Sequence, residues 1–222
     1  MKYPHAYSGV KKLFIAEIIS LIASIVVLVS AIITTVGVAS NENVPAIVSG
    51  GTLALISGIA LIVSFVLQLI GYLQAGKDHS NFKVSFWVTI IAIVATFVSS
   101  ILGVALPNND VAEIFVTVFS AFTSAASVIV LIYVLGGIAA LAMNLKDQPM
   151  AQRGRTLAYV VVILFIISVA LSFIPKPLAQ IATSDGWKVA FAVFAIIAAI
   201  IEIIVYFAVL VYYKKAIKML KK

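Results

Sequence analysis

A chain of 222 residues that is 64% hydrophobic and only 10% charged departs from soluble domains, in which charged residues make up roughly a quarter. The net charge of +7 is not gathered into one patch but sits in short segments between apolar runs, which argues against a nucleic-acid partner and fits the flanks of membrane spans. Cysteine is absent, so disulfides, thiolate metal sites and cysteine nucleophiles are excluded together.

A membrane-crossing helix needs about 20 mainly apolar residues, and six runs qualify: residues 13–39, 46–75, 82–106, 111–145, 157–174 and 189–213. The first follows Lys2, Lys11 and Lys12 as the core of a signal peptide would, but it is too long for one and has no A-x-A site, so it reads as an uncleaved span. The fourth is longer than one perpendicular crossing requires, and its start, Glu113 to Ser127, is expected to tilt or to lie in the interface. Barrel strands alternate apolar and polar residues, whereas these runs are apolar on every side. The expectation is an all-α polytopic membrane protein with six transmembrane helices in a single domain over residues 1–222.

The breaks are short and carry turn formers: Asn41 to Pro45, Gly76 to Asn81, Pro107 to Asp110, Lys146 to Gly154, and Pro175 to Gly186. Basic residues in short loops favour the cytoplasmic side. Thirteen of the 15 lie at the N-terminus, the second and fourth breaks and the C-terminus, and only Lys176 and Lys188 lie on the other side. Both termini are therefore expected in the cytoplasm of a bacterial-type cell, with the protein in its inner membrane. Lys77-Asp78 follows the second run, Lys146-Asp147 the fourth, and Lys214-Lys215 closes the sixth. That period near 70 residues reads as three helical hairpins in the same orientation.

Small and weakly polar residues recur along the runs at the spacing by which membrane helices approach closely. The second run places Gly50, Ser57, Ser64 and Gly71 seven apart, and the third carries Ser85, Thr89, Ala92, Thr96, Ser99 and Gly103. The fourth carries Thr117, Ser120, Ser124 and Ser127, then Gly136 and Ala140. Tight packing is the reading adopted; a polar path along the bundle is the alternative.

Ionisable residues inside spans are functional candidates because their charge is costly there. Glu202 lies twelve residues before Lys214, about 18 Å along a helix and so near the bilayer midplane. It is either a protonated carboxyl that bonds a Ser, a Thr, Tyr133 or Gln68, or a proton or cation site for transport. Glu17 is expected near the interface as a partner of the N-terminal lysines, and Gln68 as an amide linking helices. Asp78-His79 reads as a solvated turn. The run Tyr212, Tyr213, Lys214, Lys215, Lys218, Lys221 and Lys222 reads as an aromatic belt joined to a basic tail that meets anionic lipid, and Trp187 as its counterpart on the other face.

No His, Asp or Glu pair has metal-ligand spacing within a helix, and Gly50-Gly51 lacks the lysine of a phosphate loop. Neither a metal nor another cofactor is expected, and neither is an enzyme. The stretch LQLIGYLQAGKDHSNFK from Leu67 to Lys83, and its echo LAMNLKDQPMAQRGR from Leu141 to Arg155, resemble short repeated-hairpin bacterial membrane proteins classed as domains of unknown function. That resemblance brings no activity with it. Six helices and a basic face are also similar in shape to the substrate-binding subunits of energy-coupling-factor vitamin transporters, although a three-hairpin repeat counts against that likeness. The expected role is a helix bundle that packs with itself or with a membrane partner. The alternative is a small-solute transporter or substrate-capture subunit using Glu202.

Overall fold

The computed structural model describes residues 2–39, 44–106, 110–173 and 185–221, with the side chains of some helix-end and late-chain positions outside the description. Every regular element among the described residues is an α-helix: α1 Pro4–Ala39, α2 Val44–Ala75, α3 Ser80–Ala105, α4 Asp110–Asn144, α5 Gln148–Phe173 and α6 Asp185–Leu220. Five of them, α1 to α5, are long and apolar enough to cross a membrane. The most exposed side chains include Val104 at 84% and Leu55 at 73%, a surface that only an apolar solvent would tolerate over this extent. Together these features mark a membrane protein.

The helices run past the apolar segments. α1 has 36 residues, about 54 Å at 1.5 Å per residue, against roughly 30 Å of hydrocarbon. Hydropathy marks where lipid begins and not where a helix ends. Pro4 at the first helical position starts α1 early, because its fixed φ suits a helix and its missing N–H needs no partner there.

The chain divides into two compact units, residues 1–78 with 220–222, and residues 79–219. In the first, α1 and α2 pack along their length as a hairpin. In the second, α4 packs against both α3 and α5. The end of α4 turns sharply through Lys146, whose φ of 61° is left-handed. The Asp147 N–H donates to the Ala142 carbonyl at 2.9 Å and the Lys146 N–H to that of Met143 at 2.9 Å. This crossed pair is a Schellman motif with lysine at the position usually held by glycine. Asp147 then starts α5, its Oδ1 accepting from the Met150 N–H at 3.1 Å.

Candidate functional site

A polar cluster lies where the start of α1 meets the end of α2. The Ala6 N–H, in the first turn of α1, donates to Asp78 Oδ2 at 2.7 Å. A carboxylate 72 residues away in sequence thus satisfies one of the orphan donors of that helix and complements its dipole. One turn further, Gln74 Oε1 collects two donors, Ser8 Oγ at 2.9 Å and Lys12 Nζ at 2.6 Å. Asp78-His79 is therefore more than the solvated turn expected, since both side chains close helix starts. His79 Nδ1 accepts from the Asn81 N–H at 3.2 Å and caps α3. Accepting at Nδ1 requires the neutral imidazole, and partial burial lowers the pKa of His79 below its ordinary value.

The small residues of α2 lie on the face turned to α1. Ser57 and Ser64 are buried, and Ser64 Oγ donates to the Ala16 carbonyl at 2.7 Å. Towards the other end Ser30 Oγ donates to the Gly50 carbonyl at 2.6 Å, and a side chain at Gly50 would strike the Thr34 hydroxyl. The closest approach of a glycine to a neighbouring helix's backbone, among the described residues, involves Gly9, which the sequence reading did not single out. A Cβ there would lie 2.5 Å from the Gly71 carbonyl oxygen and 2.6 Å from the Ala75 nitrogen. A glycine one turn into an otherwise regular helix was the available signal. On the same hairpin Gln68 Nε2 donates to Glu17 Oε1 over a long 3.4 Å, while Lys12 turns to Gln74.

The α3 and α4 stripes divide. Ser85 is buried, its Oγ shared between the Asn81 carbonyl at 3.1 Å and the Val130 carbonyl of α4 at 3.3 Å. Thr96 and Thr123 hydroxyls meet at 3.3 Å. Thr89 hydroxyl donates back to the Ser85 carbonyl at 2.8 Å, and Ala92, Ser99, Gly136 and Ala140 are half-buried. Thr117, Ser120, Ser124, Ser127 and Gly103 are exposed, and Gly103 has Val116 no nearer than 3.9 Å. Ser124 and Ser127 donate to carbonyls four residues back in their own helix, so they need no neighbour. The tight contact in this pair is Gly137, where a Cβ would lie 2.9 Å from the Phe82 ring.

Tyr133 is 38% exposed. Tyr212 and Tyr213, expected as a belt facing lipid, are instead 2% and 3% exposed. Tyr212 lies against Gly154, where an added Cβ would strike its hydroxyl, and that hydroxyl is buried with no hydrogen-bond partner among the described residues. The basic side chains Lys214, Lys215 and Lys218 remain exposed. The side chains of Glu202, Trp187, Lys188, Asp110, Glu113 and Asp185 lie outside the described residues, as do Lys176 and Glu42 altogether.

Along one side of the α1–α2 hairpin runs a groove of about 190 Å³ with an apolar lining, walled by Ile19, Ile22 and Val26 on α1 and by Ile56 and Ala60 on α2. Its floor includes Ser57, whose hydroxyl donates to the Leu53 carbonyl at 2.8 Å. Among the described residues no three His, Asp or Glu side chains converge as a metal site would need. The side-chain chemistry in view is helix capping, interhelical hydrogen bonding and apolar contact. The chain matches no protein-family model, no curated protein and no solved structure.

Proposed function

We propose that this protein is a multi-pass inner-membrane protein of six crossings, three hairpins in one orientation with both termini in the cytoplasm. It works as a non-enzymatic helix bundle, packing with itself or with another membrane protein. The observation that carries this reading is the use of the small residues on the first hairpin. Gly9, Gly71 and Ser64 bring α1 and α2 into backbone contact, and the Ser64 hydroxyl is committed to the Ala16 carbonyl. Residues so occupied hold helices together and do not line a passage. What supports the orientation is the distribution of basic residues, thirteen of 15 lying at the two ends and in the second and fourth breaks.

Because cysteine is absent, single cysteines report sidedness without background. Lys77→Cys and Lys146→Cys should react with a membrane-impermeant maleimide only after permeabilisation, and Leu106→Cys in intact cells. The opposite pattern rejects the orientation. A photocrosslinking residue at Val104, the most exposed large apolar side chain among the described residues, tests the packing role in the native membrane. A discrete protein adduct is expected, and lipid adducts alone would reject a packing partner on that face.

A further inference from the structure

On α1 the positions Ser8, Lys12, Ile15, Ile19, Ile22 and Val26 follow one another at steps of three and four, so they share one side of the helix. On α2 the positions Ile56, Ala60, Val63 and Leu67 do the same, and Gln74, seven residues beyond Leu67, lies on that side as well. The hydrogen bonds that join Ser8 and Lys12 to Gln74 therefore close the same side of the hairpin on which the apolar groove opens. Glu17 lies on the opposite side of α1, with Gln68.

From this continuity we infer that the hairpin binds one anionic phospholipid, its phosphate on the Lys12–Ser8–Gln74 cluster and the distal part of one acyl chain in the groove between Ile22 and Ala60. Lys12 precedes Ile19 by seven residues and Val26 by fourteen, about 10 and 21 Å along the helix axis. Half the hydrocarbon thickness is about 15 Å, so the groove lies at the depth where an acyl chain that starts beside Lys12 ends. The groove offers an acyl chain only apolar contact, with the one hydroxyl in its floor already donating to its own helix. At the head the charge is complementary. The Lys12 ammonium rests on a neutral amide oxygen and has two further donors to direct at a phosphate, and the Gln74 amide supplies more. Ile22 and Ile56, each 57% exposed, leave the groove open along its length.

This inference rests on the reading of the hairpin as membrane-spanning with Lys12 at an interface, but not on which interface. It is tested with the full chain in nanodiscs, where both faces are accessible, so sidedness is read by the cysteine labelling alone. Nanodiscs of equal phosphatidylglycerol and phosphatidylcholine are dissociated, and retained lipid is counted by native mass spectrometry. One retained phospholipid is expected, with phosphatidylglycerol preferred about five-fold, the ratio that a single basic contact near 1 kcal/mol gives. Lys12→Gln should bring that ratio to about one with lipid still retained. Lys83→Gln removes the same charge outside the hairpin and should leave the ratio unchanged. Ala60→Phe fills the groove and should abolish retention, and Ile22→Trp repeats the measurement if thermal unfolding shows that Ala60→Phe does not fold. Equal retention of the two lipids by the unaltered chain overturns the inference. So does an equal effect of Lys12→Gln and Lys83→Gln, full retention after the groove is filled, or a concentration-dependent dimer that excludes lipid.

Discussion

The carboxylate of Asp78 accepts a hydrogen bond from the backbone N–H of Ala6 at 2.7 Å, so the first helix is capped from the turn that follows the second. This contact ties the two ends of the hairpin at one level. Asp78→Ala should destabilise the protein by about 1 kcal/mol, the usual effect of losing a helix cap, and Asp78→Asn by less because an acceptor remains. Thermal unfolding in detergent micelles measures the difference.

Gly9 and Gly58 provide a matched pair. Gly9→Ala forces a methyl group onto the backbone of α2 at Gly71 and Ala75 and should destabilise by about 1–3 kcal/mol, the range of overpacking. At Gly58 nothing lies within 4 Å of an added Cβ. There Gly58→Ala should stabilise by up to about 1 kcal/mol through helix propensity. If the two substitutions act alike in micelles, the close approach at Gly9 is refuted.

Lys146 holds a left-handed φ of 61°, a conformation that disfavours residues with a Cβ by about 1–2 kcal/mol. Lys146→Gly should therefore raise the stability by about 1 kcal/mol while the crossed hydrogen bonds that close α4 persist. A lower unfolding temperature would contradict this.

The Tyr212 hydroxyl is buried with no partner among the described residues, so removing it relieves a desolvation penalty. Tyr212→Phe is expected to be neutral or to stabilise by about 1 kcal/mol. Gly154→Ala should destabilise, because its methyl group meets the same ring and hydroxyl. The double substitution should recover part of that loss, as a double-mutant cycle would read.

His79 predicts a pH dependence. Its cap requires the neutral ring, and burial lowers its folded pKa from the ordinary 6.5. The folded state thus binds the proton less readily than the unfolded state. The cap's contribution is complete above about pH 6.5 and is lost as pH falls through the lowered value. Unfolding temperatures between pH 8 and 5 should fall more for the unaltered chain than for His79→Ser, which keeps a cap acceptor that does not titrate.

The sequence by itself determined the helical class and the apolar solvent. Runs such as 46–75 contain no charged residue with which to form a soluble surface, and a backbone in lipid must satisfy its own hydrogen bonds. It also placed Ser57 and Ser64 on one face of α2, since spacing alone puts residues seven apart on the same side of a helix. It did not tell such a face from the exposed line of Ser120, Ser124 and Ser127, because a hydroxyl satisfied four residues back needs no neighbour.

Only the tertiary structure decided which small residues meet a neighbour. Gly9, Gly137 and Gly154 became contacts because a second helix passes within a Cβ of each, a fact that depends on where two segments cross and leaves no periodic mark in either. The same holds for Asp78 and Tyr212. One is a turn residue by its neighbours in sequence and a helix cap by its neighbour in space, and the other reads as a belt aromatic and is buried against a glycine 58 positions earlier. Hydropathy reports the average solvent of a segment, whereas a cap or a close crossing is set by a single partner atom far along the chain.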